Sequence, residues 1–219
     1  MNPPVWLFDL DNTLHDADAG IFLLINHAMT DYLAGRLNLS HEEASALRED
    51  YWHCYGATLA GLQIHHPEID IAEFLAHSHP MPQILEKLTP IQRTKSLLGR
   101  LKGRKAVFSN GPSFYVRAVV GNLGIRSYFD LLAGTDDFGF LYKPDRQAYL
   151  TVCRLLGTTP QNCIMVDDNA DNLHAAKQLG IQTVWFGRKA HALPFVDCAA
   201  PDMAALEVWA AQQGWLEAV

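Results

Sequence analysis

The sequence predicts an α/β protein: a doubly wound parallel β-sheet carrying an inserted all-helical domain. Short apolar runs bounded by turn residues recur along the chain, helical patterns fill the intervals and stop at glycines, and one long stretch lacks a strand signal. The first run, Val5–Phe8, is unbroken in its hydrophobicity, as expected of a strand buried on both faces. From residue 15 to residue 82 the rhythm changes to helical patterns at 19–37, at His41–Tyr55 behind a Ser40-x-x-Glu43 capping box, and at 69–77. Residues 14–18 read as the outgoing linker and 78–82, with two prolines, as the return. The domains expected are therefore 1–14 with 83–219 as the α/β core, and 15–82 as the helical insertion.

After residue 104 the pattern becomes regular. Strand runs at 106–108, Leu131–Ala133, 164–166 and 183–186 alternate with helices at 112–123, 145–156 and 170–179. Gly124, Gly157 and Gly180 follow those helices where a left-handed terminating residue belongs. Such repetition is the pattern of right-handed β-α-β crossovers. The tail, 201–219, reads as a closing helix packed on the core.

Composition narrows the function. A length of 219 residues is about one and a half domains at ~150 residues each, which the insertion explains. Seventeen Lys plus Arg against twenty-four Asp plus Glu give a net charge of −7, the wrong sign for binding a nucleic-acid polymer. The start has no basic segment and its apolar run is too short for a leader or a membrane span, so a soluble cytoplasmic protein without a membrane partner is expected, as a monomer or homodimer. Cys54, Cys153, Cys163 and Cys198 form no C-x-x-C pair and read as small core residues. His65-His66 and His77-x-His79 lack the acidic or i, i+4 partners of a metal site.

The chemistry-bearing residues stand at strand ends. Asp9-Leu10-Asp11-Asn12-Thr13 follows the first strand, and two carboxylates beside a buried strand need a metal or hydrogen-bond partners. On an extended chain they would point the same way, ~7 Å apart. A strand-end turn or helix cap could use the same residues. Ser109-Asn110-Gly111 follows the second strand and offers a hydroxyl and backbone N–H groups to an anion. Lys143-Pro144 precedes a helix, and Asp167-Asp168 ends a strand. Ligands of open parallel sheets bind beyond the carboxyl ends of the strands, so these groups are expected to converge.

This order of motifs resembles that of the haloacid dehalogenase superfamily, most of whose members are magnesium-dependent phosphatases, over the span from Val5 to about Phe186. The resemblance implies that the helical insertion is a cap and that a small phosphorylated metabolite is the partner. It makes Asp9 the nucleophile and Asp11 the general acid and base, with Thr13, Ser109, Asn110 and Lys143 as phosphate ligands. It also implies Mg2+ held by Asp9, the Asp11 backbone carbonyl and Asp168, with Asp167 beside it. A second Asp in the first motif argues against the dehalogenase branch, whose members lack it.

Within the insertion, Tyr55-Gly56-x-Thr58-Leu59-x-Gly61-Leu62 resembles the pyrimidine 5′-nucleotidase branch, although His15 stands where many of that branch carry Tyr. That resemblance implies a pyrimidine nucleoside 5′-monophosphate, with Tyr51 and Tyr55 as substrate contacts; the two are i, i+4 neighbours and could equally be helix packing. A phosphoglycolate or sugar-phosphate phosphatase, a phosphomutase and a non-catalytic phospholigand-binding module are the alternatives. A phosphonate-cleaving enzyme would need a cap lysine, and 15–82 contains none.

Overall fold

The computed structural model describes residues 3–217. Two compact units form, one from Met1–Ala17 with Thr89–Val219 and the other from Asp18–Leu88. The domain boundaries thus fall at 17/18 and 88/89, later than the expected 14/15 and 82/83. Residues 1–2 and 218–219 of the expected core lie outside the described residues.

The chain begins with β1 (Val5–Phe8) and enters the second unit, which is helical throughout: α1 (Ile21–Leu37), α2 (His41–Tyr55), α3 (Thr58–His65), α4 (Ile71–Ser78) and α5 (Met81–Glu86). It returns through α6 (Thr94–Arg100), β2 (Lys105–Phe108), α7 (Ser113–Asn122), β3 (Leu131–Ala133), α8 (Arg146–Leu155), β4 (Cys163–Asp167), α9 (Ala170–Gln178), β5 (Gln182–Phe186), β6 (Cys198–Ala200) and α10 (Met203–Gln212). All strand pairs are parallel, in the order β3-β2-β1-β4-β5-β6. The winding direction reverses between β1 and β4, the place where such sheets open a crevice. β6 was not expected, since a three-residue Cys-Ala-Ala run carries too little hydrophobic pattern to stand out.

Alternation along β1 fills both faces of the sheet. Trp6 and Phe8 stack on one face, where Trp6 also meets Trp209 and Trp215 edge-on, at 6.4 and 5.7 Å between ring centroids. Trp6 donates its indole N–H to the Lys102 carbonyl, so its polar end is satisfied inside the core. Val5 and Leu7 join Phe108, Met165, Tyr149, Val152, Leu173 and Ala176 in the other core. Gly124, Gly157 and Gly180 all have positive φ and end α7, α8 and α9, as their sequence positions indicated.

The helical unit begins α2 with the expected capping box: Ser40 Oγ accepts from the Glu43 N–H, and the Glu43 carboxylate accepts from the Ser40 N–H at 2.8 Å. The expected return linker is instead the junction of α4 and α5, with Pro82 in the first turn of α5, where a missing N–H costs nothing. The unit consequently contains Lys87, and the absence of lysine no longer separates the phosphonate-cleaving chemistry. A Cβ on Gly20 would come within 3.0 Å of the Lys87 aliphatic stem. Cys54 is exposed and Cys198 half-buried, so only Cys153 and Cys163 are core residues.

Tyr51 explains Gly61. A Cβ at 61 would lie 2.1 Å from the Tyr51 ring, so α2 and α3 pack through a glycine. Gly61→Ala is expected to destabilise this packing by about 1–3 kcal/mol, the ordinary cost of overfilling a core, and a urea melt would measure it.

Candidate active site

Three strand ends meet at the carboxyl edge of the sheet, because β2, β1 and β4 are neighbours there. Asp9 follows β1 and donates its N–H to the Val166 carbonyl of β4. Ser109 follows β2, and Asp167 is the last residue of β4. Lys143 comes from the segment between β3 and α8. Its ammonium donates to Asp9 Oδ1 and to Asp167 Oδ2, both at 2.7 Å, and lies 5.2 Å from the centre of the Phe108 ring. All of Asp9, Ser109, Lys143 and Asp167 are buried.

Partners separate their roles. The Asp167 carboxylate accepts from Lys143, from the Asn169 N–H at 2.8 Å and from the Asn172 amide at 3.1 and 3.2 Å, so it is saturated by the protein. Asn110 was expected to serve phosphate. That expectation concerned the backbone N–H groups around it; its side chain grips the Lys143 backbone, donating to the carbonyl at 2.9 Å and accepting from the N–H at 2.7 Å. Ser109 Oγ accepts from the Gly111 N–H at 2.9 Å, which shapes the loop before α7. Thr13 is fully buried with its hydroxyl 3.5 Å from Asp9 Oδ2.

Asp11 does not sit on an extended chain. After Asp9 the backbone turns, with Thr13 and Leu14 N–H groups both donating to the Leu10 carbonyl and Asn12 at a positive φ of 56°. The expected alignment of two carboxylates on one extended strand is therefore replaced by a turn. Asp11 Oδ1 accepts from the Tyr115 hydroxyl at 2.5 Å and lies 3.1 Å from His15 Nε2. Burial, then Asp11 and Asp9, hold the Tyr115 phenol well above its usual range, so it remains a donor.

Electrostatics at the edge are crowded. Burial pushes the Asp9 carboxyl well up; Lys143 opposes this, while Asp167, Asp168 and Asp11 add to it. Burial, then Asp167, pushes Asp168 up to about 7, against Lys143 and a hydrogen bond from Asn12. Burial alone would lower Lys143, but Asp167 and Asp9 outweigh it and keep it charged. Carboxylate oxygens of Asp9, Asp167 and Asp168 lie within 4.8 Å of one another, and with one ammonium among three carboxylates two formal charges stay unbalanced. Hard oxygen donors with that deficit fit a divalent cation such as Mg2+.

Tyr115, His15, Asn169 and Asn172 are the residues that motif reading did not assign to the site. Asn172 had a signal, since it stands three residues after an N-capping Asn169 and so faces back to the strand end. Of the two tyrosines expected to touch substrate, Tyr51 is 9% exposed, packs on Gly61 and stacks on His65, which makes it a packing residue. Tyr55 is 36% exposed and shares a 2.6 Å hydrogen bond with His65.

Comparisons with known proteins bear on the family and the fold. Residues 5–180 match the family of haloacid dehalogenase-like hydrolases. A Saccharomyces cerevisiae protein named phosphate metabolism protein 8 is 25% identical over 81% of the chain, which spans 59% of that protein's length. A phosphoglycolate phosphatase from Colwellia psychrerythraea is 27% identical over 82% of both chains. A crystal structure of a HAD phosphatase from Thermococcus onnurineus superposes with a TM-score of 0.70 at 22% identity, covering 98% of this chain and 99% of the other. With the four motif segments gathered at one sheet edge and the family match spanning most of its length, the chain belongs to the haloacid dehalogenase-like hydrolases.

Proposed function

We propose that the chain is a phosphoric monoester hydrolase that works through an aspartyl-phosphate. The observation that carries this reading is the buried Asp9 carboxylate, fixed by Lys143 at 2.7 Å next to a second acidic residue, Asp11, in the following turn. Asp9 attacks phosphorus while the ester P–O bond breaks, and Asp11 gives its proton to the departing alkoxide. Asp11 then takes a proton from water, whose oxygen attacks the same phosphorus and releases Asp9 and inorganic phosphate. Lys143 offsets the charge on the transferring group, and the Ser109 and Thr13 hydroxyls with the Asn110 backbone N–H hold its oxygens. Asn110 contributes by fixing Lys143.

Asp9, the Asp11 backbone carbonyl and Asp168 would hold Mg2+, with Asp167 set aside to hold Lys143. Bound there, the cation supplies the charge that lets an anionic carboxylate approach an anionic ester.

For substrate, the Colwellia relative supports a small phosphate ester of the phosphoglycolate kind. The resemblance in residues 55–62 supports a pyrimidine 5′-nucleotide, but part of that run is committed to packing Gly61 on Tyr51. We place the small ester first.

Asp9→Asn is expected to abolish turnover of every phosphate ester with an unchanged circular dichroism spectrum; residual hydrolysis above about 1% would remove the nucleophile from the account. Asp11→Asn is expected to lower kcat/KM roughly 10²–10⁴-fold on alkyl phosphates. EDTA should stop hydrolysis, and Mg2+ should raise Tm by roughly 2–4 °C per kcal/mol of binding. That shift should vanish in Asp168→Asn, and a full shift in this variant would exclude Asp168 as a ligand. In a phosphate-release screen, phosphoglycolate should outrank UMP and CMP; the reverse ranking would give the site to nucleotides.

A further inference from the structure

Asp11 is held by two residues to which the motif reading gave no role at the site. The Tyr115 hydroxyl donates to Asp11 Oδ1 at 2.5 Å, and His15 Nε2 lies 3.1 Å from the same oxygen and 3.3 Å from the Tyr115 hydroxyl. Tyr115 and His15 are both fully buried, while the Asp11 side chain is 19% exposed. Among the described residues His15 Nδ1 has no hydrogen-bond partner, and Nε2, which faces the Asp11 carboxylate, is the ring nitrogen placed to donate to it.

The backbone is built to admit the tyrosine. A Cβ on Gly111 would lie 2.7 Å from Tyr115 Cδ1, so the ring occupies space that only glycine leaves open. Gly111 belongs to the loop after β2 and Tyr115 to the first turn of α7, which links the phosphate-facing loop directly to the Asp11 carboxylate. His15 is four residues beyond Asp11 and bridges to it through the backbone.

We infer that Tyr115, with His15, is a positioning pair that fixes the rotamer of Asp11 for proton transfer, an assignment that rests on Asp11 being the general acid and base. Two donors on Oδ1 commit that oxygen as an acceptor and direct the transferable proton to Oδ2.

Leaving-group chemistry tests this. An alkoxide needs a proton as it departs, whereas p-nitrophenolate does not, and kcat/KM reports the step that forms the aspartyl-phosphate. Tyr115→Phe keeps the ring and removes the hydroxyl. Its loss of kcat/KM on β-glycerophosphate should exceed its loss on p-nitrophenyl phosphate by about tenfold or more, the scale of one hydrogen bond to a charged group. His15→Leu should show the same asymmetry, and His15→Gln, whose amide reaches where Nε2 does, should restore it. Equal losses on both esters, or no loss, would overturn the positioning role. If Tyr115→Phe fails to fold in a thermal melt, the His15 pair decides by the same ratio. Hydrolysis surviving Asp9→Asn, an Asp11→Asn variant with no asymmetry, or a wild type that hydrolyses neither ester would instead sink the underlying reading of the site, and the positioning role with it.

Discussion

One buried ammonium organises the working edge of this protein. Lys143 lies between Asp9 and Asp167, which come from different strands and are 134 and 24 residues away in sequence. Removing ions from water is costly, and the cost is recovered only where every partner is well placed. Here the placement is complete: Asn110 grips the lysine backbone, Asn172 and the Asn169 N–H complete Asp167, and the Phe108 ring faces the ammonium. Deleting one member would leave a buried charge uncompensated, on the order of 3–5 kcal/mol. The arrangement also sets direction. Asp167 orients the lysine, and the lysine orients Asp9 at the sheet edge in a single pose.

Because that one cation cannot neutralise the carboxylates around it, the edge keeps an excess of negative charge. An anionic ester would be repelled by such a surface, which is part of the chain's net charge of −7. A divalent ion bound there would resolve the conflict locally. Asp168, with fewer protein partners than Asp167, is the carboxylate that would be left to hold such an ion in the proposed reading.

The sheet and its site were legible in sequence because they follow from local signals. Unbroken apolar runs marked β1 to β5, glycines ended α7, α8 and α9 at positive φ, and polar residues directly after each run identified the strand ends. What was not legible depended on distant partners. Nothing local shows that the Asn110 side chain engages the backbone of Lys143, thirty-three residues away. Tyr51 looks like a substrate contact until Gly61 is seen beneath it. The prolines near residue 80 carry two meanings, linker or helix start, and local sequence does not choose between them. Tyr115 carried no signal, and His15 stood out only as a departure from a family pattern, because their meaning lies in the carboxylate between them.

The chain leaves and re-enters the α/β unit as a short two-stranded ribbon. Asp16 N–H donates to the Thr89 carbonyl, Ile91 N–H donates to the Leu14 carbonyl, and His15 pairs with Pro90. The two crossing points are thus tied by backbone bonds that belong to the core. Whatever is spliced between them adds only a slowly growing loop-closure term to the folding of that core. The helical unit can therefore change length and composition over evolutionary time without disturbing the turn that carries Asp11, so a new specificity can be acquired while the chemistry is inherited intact.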